Sequence, residues 1–298
     1  MNGQTAIAGG DPVRVTKLDS ITFDFLLASV DGPRAVFDLA GIELITPSAM
    51  VQLAAVCHAL ARSGDRPRIL VPARSVRGYL ARAGFDAVVQ NVAWIEPSLP
   101  WNPYEYLHGS NPMLIEVTKL TDGLSLPELL DHIIDVLRNS LSYEKYDAFD
   151  VATAVSEVSQ NTFDHNRDSD TCGFLAMQVY GTGRKRFLEI GVADYGDGLA
   201  TTLRRNPKNL PVHSDADAIL KAVQVGASEH DDPTRGSGLY HLLQTGYKHQ
   251  GTIQIRSGRA KVRYRGDKRQ GWRFDVQHLD GVQVALILRA KTQSLGTH

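Results

Sequence analysis

Three prolines fall within seven residues, in the stretch Pro97-Ser-Leu-Pro-Trp-Asn-Pro103, and this stretch most constrains how the chain folds. Proline lacks an amide hydrogen and fixes φ, so such a stretch neither continues a helix nor runs through the centre of a sheet. We therefore predict a linker here. A length of 298 residues suffices for about two domains of roughly 100–200 residues each. The predicted units, in chain order, are a flexible tail (1–14), a first domain (15–96), the linker (97–110), a second domain (111–290) and a short tail (291–298).

The first domain has the pattern of a small α/β layer. Thr46 and Pro47 suit the N-cap and first position of a helix, which continues with apolar residues at three- and four-residue spacing until Gly64. Strands and helices alternate, which favours right-handed β-α-β crossovers. The predicted elements are the strand Ala35–Leu39, the helix from Pro47 to Gly64, the strand Arg68–Val71 and the helix Val76–Ala83, which Gly84 stops.

The second domain alternates helices and strands less regularly. A glycine turn at 181–183 predicts that the strands on either side of it form a hairpin. The long connection 199–235 is typical of a functional or mobile segment. We predict an α+β unit whose mixed or antiparallel sheet is covered by helices on one face, so the whole chain is a two-domain α/β protein. The predicted strands are 113–117, 173–180, 187–193, 251–257, 259–265 and 281–289, and the predicted helices are 126–141, 149–165, 216–225 and 239–247.

Composition excludes several classes of function. The 32 basic and 33 acidic residues balance, which disfavours nucleic acid and anionic membranes as partners. Apolar runs stay shorter than the roughly 18–20 residues of a membrane span, and the N-terminus lacks the pattern of a secretory signal. The two cysteines, Cys57 and Cys172, lie far apart in apolar segments, as reduced core thiols do. We expect a cytoplasmic protein without a membrane partner.

An acid and an amide stand four residues apart in Glu157-Val-Ser-Gln-Asn161, on the predicted helix 149–165. Residues at this spacing share a helix face. Mg²⁺ takes few protein ligands and completes its shell with water and phosphate oxygens, so the Asn161 carbonyl is a suitable ligand. Glu157, one turn earlier, suits a general base beside a terminal phosphate. The alternative for this helix is a solvated polar stripe.

Two glycine-rich stretches follow. Asp194 ends a β-branched strand before Tyr-Gly196-Asp-Gly198, and a buried carboxylate at a strand end needs a donor such as the exocyclic amine of adenine. The glycines permit positive φ and close approach to a flat base. Further on, Gly236-Ser-Gly238 precedes an apolar helix at Leu239, where successive amides form an anion nest beside Arg235. The alternatives are an ordinary Asp-Gly turn and a flexible loop with a glycine cap.

Taken together, these three stretches resemble the motifs of the GHKL ATPases, the superfamily of gyrase, heat-shock chaperone ATPases and histidine kinases. In that resemblance Glu157 and Asn161 form the N-box, Asp194, Gly196 and Gly198 the G1 box, and Gly236 and Gly238 the G2 box. The resemblance covers roughly 111–290 and is most similar to the anti-sigma-factor serine kinases. It implies a Bergerat-type α/β sandwich that binds ATP and Mg²⁺ under a mobile lid, here 199–235.

Residues 37–50 resemble the STAS domain of anti-sigma-factor antagonists, and Ser48 falls on that family's phosphoacceptor position. The family's aspartate and glycine are absent, since the flanking residues here are Thr46 and Ala49. A phosphate on Ser48 would lie in the first turn of a helix, where the helix dipole favours negative charge by about 0.3–1 kcal/mol. The alternative is that Ser48 is simply a suitable first-turn residue.

The two resemblances imply a partner-switching regulator. One hypothesis is a serine/threonine protein kinase whose partner is a STAS-type or sigma-regulator protein, and its own N-terminal domain is one candidate for that partner. The other hypotheses are an ATP-gated interaction module without phosphotransfer and a slow ATPase. A homodimer is compatible with the superfamily. We interpret His132 as structural and the basic segment 256–273 as a charged edge hairpin, with a nucleic-acid patch as the alternative.

Overall fold

A computed structural model describes residues 15–28, 35–100, 113–121, 126–164, 172–224 and 238–291. Two small parallel sheets form the N-terminal part, with strand orders β1-β3 and β2-β4-β5. Its elements are β1 (Lys17–Leu18), α1 (Phe23–Ala28), β2 (Val36–Asp38), β3 (Leu44–Ile45), α2 (Pro47–Arg62), β4 (Arg68–Leu70), α3 (Arg74–Arg82), α4 (Phe85–Val89) and β5 (Trp94–Glu96).

The predicted β-α-β-α alternation is confirmed, with four elements close to their predicted places. Thr46 precedes α2 in an extended conformation, yet its hydroxyl lies 3.2 Å from the Ser48 hydroxyl instead of capping the helix. Gly84 has φ of 65° at the end of α3, as a helix-stopping glycine does. The elements α1, α4, β1, β3 and β5 were not predicted. All five are short, so they carry too few residues to show a period.

A five-stranded antiparallel sheet with the order β6-β7-β8-β10-β9 forms the second part. The mixed form of the sheet is therefore excluded for the described strands. The elements are β6 (Leu114–Leu120), α5 (Leu126–Leu141), α6 (Lys145–Asp164), β7 (Gly173–Tyr180), β8 (Phe187–Asp194), α7 (Gly198–Arg204), α8 (Asp215–Ala222), α9 (Gly238–Lys248), β9 (Thr252–Arg265) and β10 (Gln270–Arg289).

Three predictions in this part are wrong in detail. The strands predicted at 251–257 and 259–265 are one continuous strand, β9, which passes through Gly258 at φ of 59°. Its partner β10 begins at Gln270 instead of 281, because the basic hairpin pairs along its whole length with two register shifts. The connection after Gly198 contains α7 as well as the predicted helix, whose observed span is α8.

Both faces of the sheet are buried, although the sequence predicted helices on one face only. Alternate residues of a strand point to opposite faces. Leu175 and Met177 of β7 belong to the core under α5, α6 and α9, whereas Phe174 and Ala176 belong to the core shared with α2. The layer that covers the second face of the sheet thus comes from the N-terminal part. The division at 97–110 remains a prediction, and residues 101–112 lie outside the described residues.

Residues of the N-terminal part also neutralise the basic hairpin. Arg256 and Lys261 are 1% and 5% exposed, and both form ion pairs with Asp24 of α1. The interpretation of this segment as a solvent-facing charged edge is therefore wrong for these two residues. Within the described ranges, no helix combines the length and apolar character needed to cross a membrane.

Candidate functional site

Gly238 brings the third sequence stretch against the first. A Cβ atom built on Gly238 would lie 3.1 Å from Glu157 Cβ and 3.2 Å from Asn161 Nδ2, so α9 begins directly on the face of α6 that carries both residues. A side chain at 238 would need these neighbours to move, which explains the glycine. Leu239, the next residue, is 6% exposed and packs in the core beneath the helices. Two of the three predicted clusters therefore meet.

The carboxylate of Glu157 is held by a histidine that sequence reasoning did not select. His241 Nδ1 lies 3.3 Å from Glu157 Oε1, and Nε2 lies 3.0 Å from Asp150 Oδ1. Burial lowers the pKa of His241, but hydrogen bonds to Asp150 and Glu157 outweigh burial and raise it overall. The only signal in the sequence was the position of His241, one turn after Gly238. The polar stripe of α6 thus faces α9.

Asp194 ends β8 as a buried carboxylate. Its Oδ1 accepts a hydrogen bond of 2.8 Å from the Gly196 amide, and the side chain is 8% exposed. Desolvation raises the pKa of Asp194 to about 7, and the hydrogen bonds from Gly196 and Val282 oppose that rise. Gly281 permits this packing, because a Cβ there would lie 2.5 Å from Asp194 Oδ1. Neutral pH is therefore close to the pKa of Asp194, at which its carboxyl group changes from a protonated form that can donate a hydrogen bond to an ionised form that only accepts.

The third cluster adjoins the other two through β7. Asp194 is the cross-strand partner of Gly173, and cross-strand partners point to the same face of a sheet. A Cβ on Gly173 would lie 2.6 Å from Cβ of Thr162, the residue after Asn161. The last turns of α6 therefore lie over the strand end that carries Asp194. Glu157, Asn161, Asp194 and Gly238 are on the same side of the sheet.

Hydrogen bonds to residues of β9 and β10 hold the glycine turn after Asp194 in place. Gly198 has φ of 74°, and the following amide, on Leu199, donates a 2.9 Å hydrogen bond to Ser257 Oγ. That hydroxyl donates in turn to the Gly281 carbonyl at 3.0 Å. Gly196 is half-buried in the same turn. Arg235 and Gly236 lie outside the described residues, as do 225–234 of the predicted lid.

Ser48, the candidate phosphoacceptor, lies on the opposite face of the sheet. Its hydroxyl is fully buried and donates a 2.5 Å hydrogen bond to Glu189 Oε1 of β8. Burial raises the pKa of Glu189, while the hydroxyls of Ser48 and Thr46 oppose that rise. Opposite Ser48 stands Gly191, where a Cβ would lie 2.6 Å from Ser48 Cα. A phosphate cannot fit at Ser48 while α2 is packed on β8.

Among the residues that the structure describes, no group of three or more His, Cys, Asp or Glu side chains forms a metal cluster. Mg²⁺ bound through phosphates needs only one or two protein oxygens, such as the Asn161 carbonyl. No model of a known protein family matches the chain, and no curated protein matches it.

Proposed function

We propose that this chain binds Mg-ATP as a GHKL-type protein and acts as a serine/threonine kinase or nucleotide-gated switch in partner-switching regulation. One observation carries the proposal. The start of α9 at Gly238 rests on Glu157 and Asn161, and the next residue of α6, Thr162, packs on the strand pair that ends in Asp194. An acid–amide pair, a glycine at a helix start and a buried aspartate on one side of a sheet suit a nucleotide.

Each residue has a proposed role. Asn161 holds Mg²⁺ through its side-chain oxygen, and Asp194 accepts the adenine amine. Gly238 and Leu239, with Arg235 and Gly236, contribute amides and charge for phosphates. ATP supplies the transferable phosphoryl group, and catalysis rests on positioning and charge neutralisation. Glu157 takes up the proton of an attacking hydroxyl or water, in an orientation that His241 maintains at 3.3 Å.

The contact between Ser48 and Glu189 favours the switch over phosphorylation within one docked molecule. Ser48 is buried against Glu189 on the face of the sheet opposite Asp194, so transfer to Ser48 requires α2 to leave β8, whether the ATP is bound to the same molecule or to a second one. The orientation of Glu157 by His241 favours the kinase and the ATPase. The gated module therefore remains the second candidate function.

Binding of Mg-ATP to purified Asn161→Ala and Asp194→Asn variants tests the proposal. We expect each change to weaken affinity at least about tenfold, or by 1.4 kcal/mol. Gln160→Ala is the matched control, because Gln160 is exposed on the same helix and its amide donates to Ser156 of that helix. Unchanged affinity in both site variants would refute the nucleotide site.

Labelled ATP then separates the candidate functions. Label on the protein or on an added STAS-type partner that is lost in Glu157→Ala supports the kinase, and Ser48→Ala tests the acceptor. Free phosphate alone supports the ATPase. Tight binding without transfer or release supports the gated module.

A further inference from the structure

A cavity lies at the opposite end of α9 from the candidate nucleotide site. It has a volume of about 730 Å³ and is lined by residues after the C-terminus of α9, the start and end of β9, and the end of β10. The helix Gly238–Lys248 has 11 residues, so its two ends are roughly 16 Å apart at 1.5 Å per residue. The cavity is therefore separate from the site at Gly238.

Positive charge dominates the cavity wall. Four cationic side chains line it (Arg263, Arg265, Arg289 and Lys291), against one carboxylate, Asp267. That carboxylate is already paired with Arg265, at 3.1 Å from Arg265 Nε and 2.5 Å from Arg265 Nη2. Burial also lowers the pKa of Lys291, with the charge of Lys248 adding to the effect and Asp147 opposing it. Like charges around one cavity repel each other, and a bound anion removes that cost.

Two buried polar groups on the wall have no hydrogen-bond partner within the part of the chain that the structure describes. His249 is 4% exposed, and neither of its ring nitrogens has a hydrogen-bond partner among the described residues. The Oδ1 atom of Asp147 is 4.0 Å from His249 Nε2, beyond hydrogen-bond distance. The Nε atom of Arg263 is also without a hydrogen-bond partner in the described ranges. An unpaired buried polar group costs about 1–3 kcal/mol, and such groups call for an explanation.

Each of these groups can donate a hydrogen bond to an anion. Burial, together with nearby Lys291, lowers the pKa of His249 to about 4, so the ring is neutral at pH 7 and offers one N–H donor. Arg263 and Arg289 offer planar forks that match phosphate oxygens in a bidentate manner. The volume falls within the range of about 300–1,000 Å³ that small-molecule sites occupy.

We propose that this cavity is a binding site for a small, multiply charged phosphate-bearing anion, held by Arg263, Arg289 and Lys291 with a hydrogen bond from His249. The site is distinct from the proposed ATP pocket and does not depend on it. A ligand here contacts the C-terminal end of the helix whose first residue rests on Glu157 and Asn161.

Calorimetric titration of the full chain with inorganic pyrophosphate tests the proposal. The protein carries Asn161→Ala and Asp194→Asn, so that the proposed nucleotide pocket does not contribute. We expect saturable one-to-one binding, weakened at least about tenfold by Arg263→Gln with Arg289→Gln. Lys268→Gln with Arg273→Gln is the matched control, because it removes the same charge from exposed positions of the same hairpin that do not line the cavity. This pair should leave affinity within about twofold.

A measurement on the protein without cavity substitutions guards against misfolding of the variants. The ring signals of His249 in NMR spectra should shift on addition of pyrophosphate and saturate at the calorimetric midpoint. Three outcomes would overturn the proposal: absence of binding up to about 10 mM pyrophosphate, equal loss in the control pair, or binding that leaves the His249 signals unmoved.

Discussion

Single residues of β8 have opposite environments because the strand is covered on both faces. Asp194 points toward α6, where its carboxylate accepts an amide hydrogen bond, and Glu189 points toward α2, where it accepts from Ser48. Burial raises the pKa of both carboxyl groups. A neutral carboxyl group can donate as well as accept, so the protonation of these two residues affects how each face of the strand pairs.

The raised pKa of Asp194 makes stability depend on pH. The folded-state pKa is about 7 against 3.8 for the free side chain, so the folded protein holds an extra proton between these values. This contribution to stability is fully present below 3.8 and is lost as pH rises to about 7. We expect the free energy of unfolding to fall over this range and to fall less steeply in Asp194→Asn. Urea denaturation at a series of pH values measures the slope.

Glu189→Gln provides the comparison for that experiment. The pKa of Glu189 is raised in the same direction, so this variant should also flatten part of the slope. If Asp194→Asn left the slope unchanged while Glu189→Gln removed all of it, then Asp194 would be ionised in the folded protein at neutral pH.

At the scale of secondary-structure elements, the close contact of α2 with β8 depends on a glycine. The backbone of Ser48 lies where a side chain at 191 would be, at 2.6 Å from the built Cβ. Helix α2 is correspondingly apolar on most sides, and 12 of its 16 residues are buried. A helix that is buried all round needs covering partners on several faces, which here are the small parallel sheets and the large sheet.

We expect Gly191→Ala to destabilise the protein by about 1–3 kcal/mol, because the new methyl group would force α2 away from the strand. Thermal denaturation and exposure of Cys57 to a thiol reagent would report the change, since Cys57 is buried in α2. The matched control is Gly78→Ala in α3, where the nearest atom, Arg82 Nη1, is 3.4 Å away. That change should be neutral or stabilising by about 0.5–1 kcal/mol. An unchanged melting temperature in Gly191→Ala would mean that α2 yields without cost.

Local patterns in the sequence predicted the elements best. The helix 126–141 has the predicted bounds, because its apolar residues repeat at helical spacing along one face. The hairpin at 173–194 could be predicted equally well from its glycine turn and the strands on either side of it. The sequence could not predict the partner of Arg256, because Asp24 lies 232 residues away. The local alternation of polar and apolar residues does not distinguish a buried cation from an exposed one. The same limit concealed the pairing of His241 with Glu157.

On the scale of the whole molecule, polar contacts join the N-terminal residues to the large sheet. Asp24 pairs with Arg256 and Lys261, Gln254 donates to the Ser20 carbonyl, and Ser48 donates to Glu189. Apolar packing accompanies them, since Phe37 and Phe174 belong to one core. The described residues of the N-terminal part and the large sheet are thus held together by directional bonds as well as by apolar burial.

Removing Asp24 should expose how strongly these parts depend on each other. Asp24→Ala leaves Arg256 and Lys261 buried without their counter-charge, so we expect a loss of about 3–5 kcal/mol in the free energy of unfolding. Asp65→Ala is the control, because Asp65 is exposed and its loss should change stability by no more than about 0.5 kcal/mol. Chemical denaturation of both variants measures the difference. A loss in Asp24→Ala no greater than in the control would show that water reaches the two cations.

The packing of α2 on β8 has a consequence for any competitor. Both surfaces belong to one polypeptide, so their encounter is intramolecular and is governed by an effective concentration instead of by the protein concentration. A separate protein that binds the same face of β8 must compete with α2, whose effective concentration does not fall on dilution. The apparent affinity of such a protein is lowered by the fraction of molecules in which α2 has left β8.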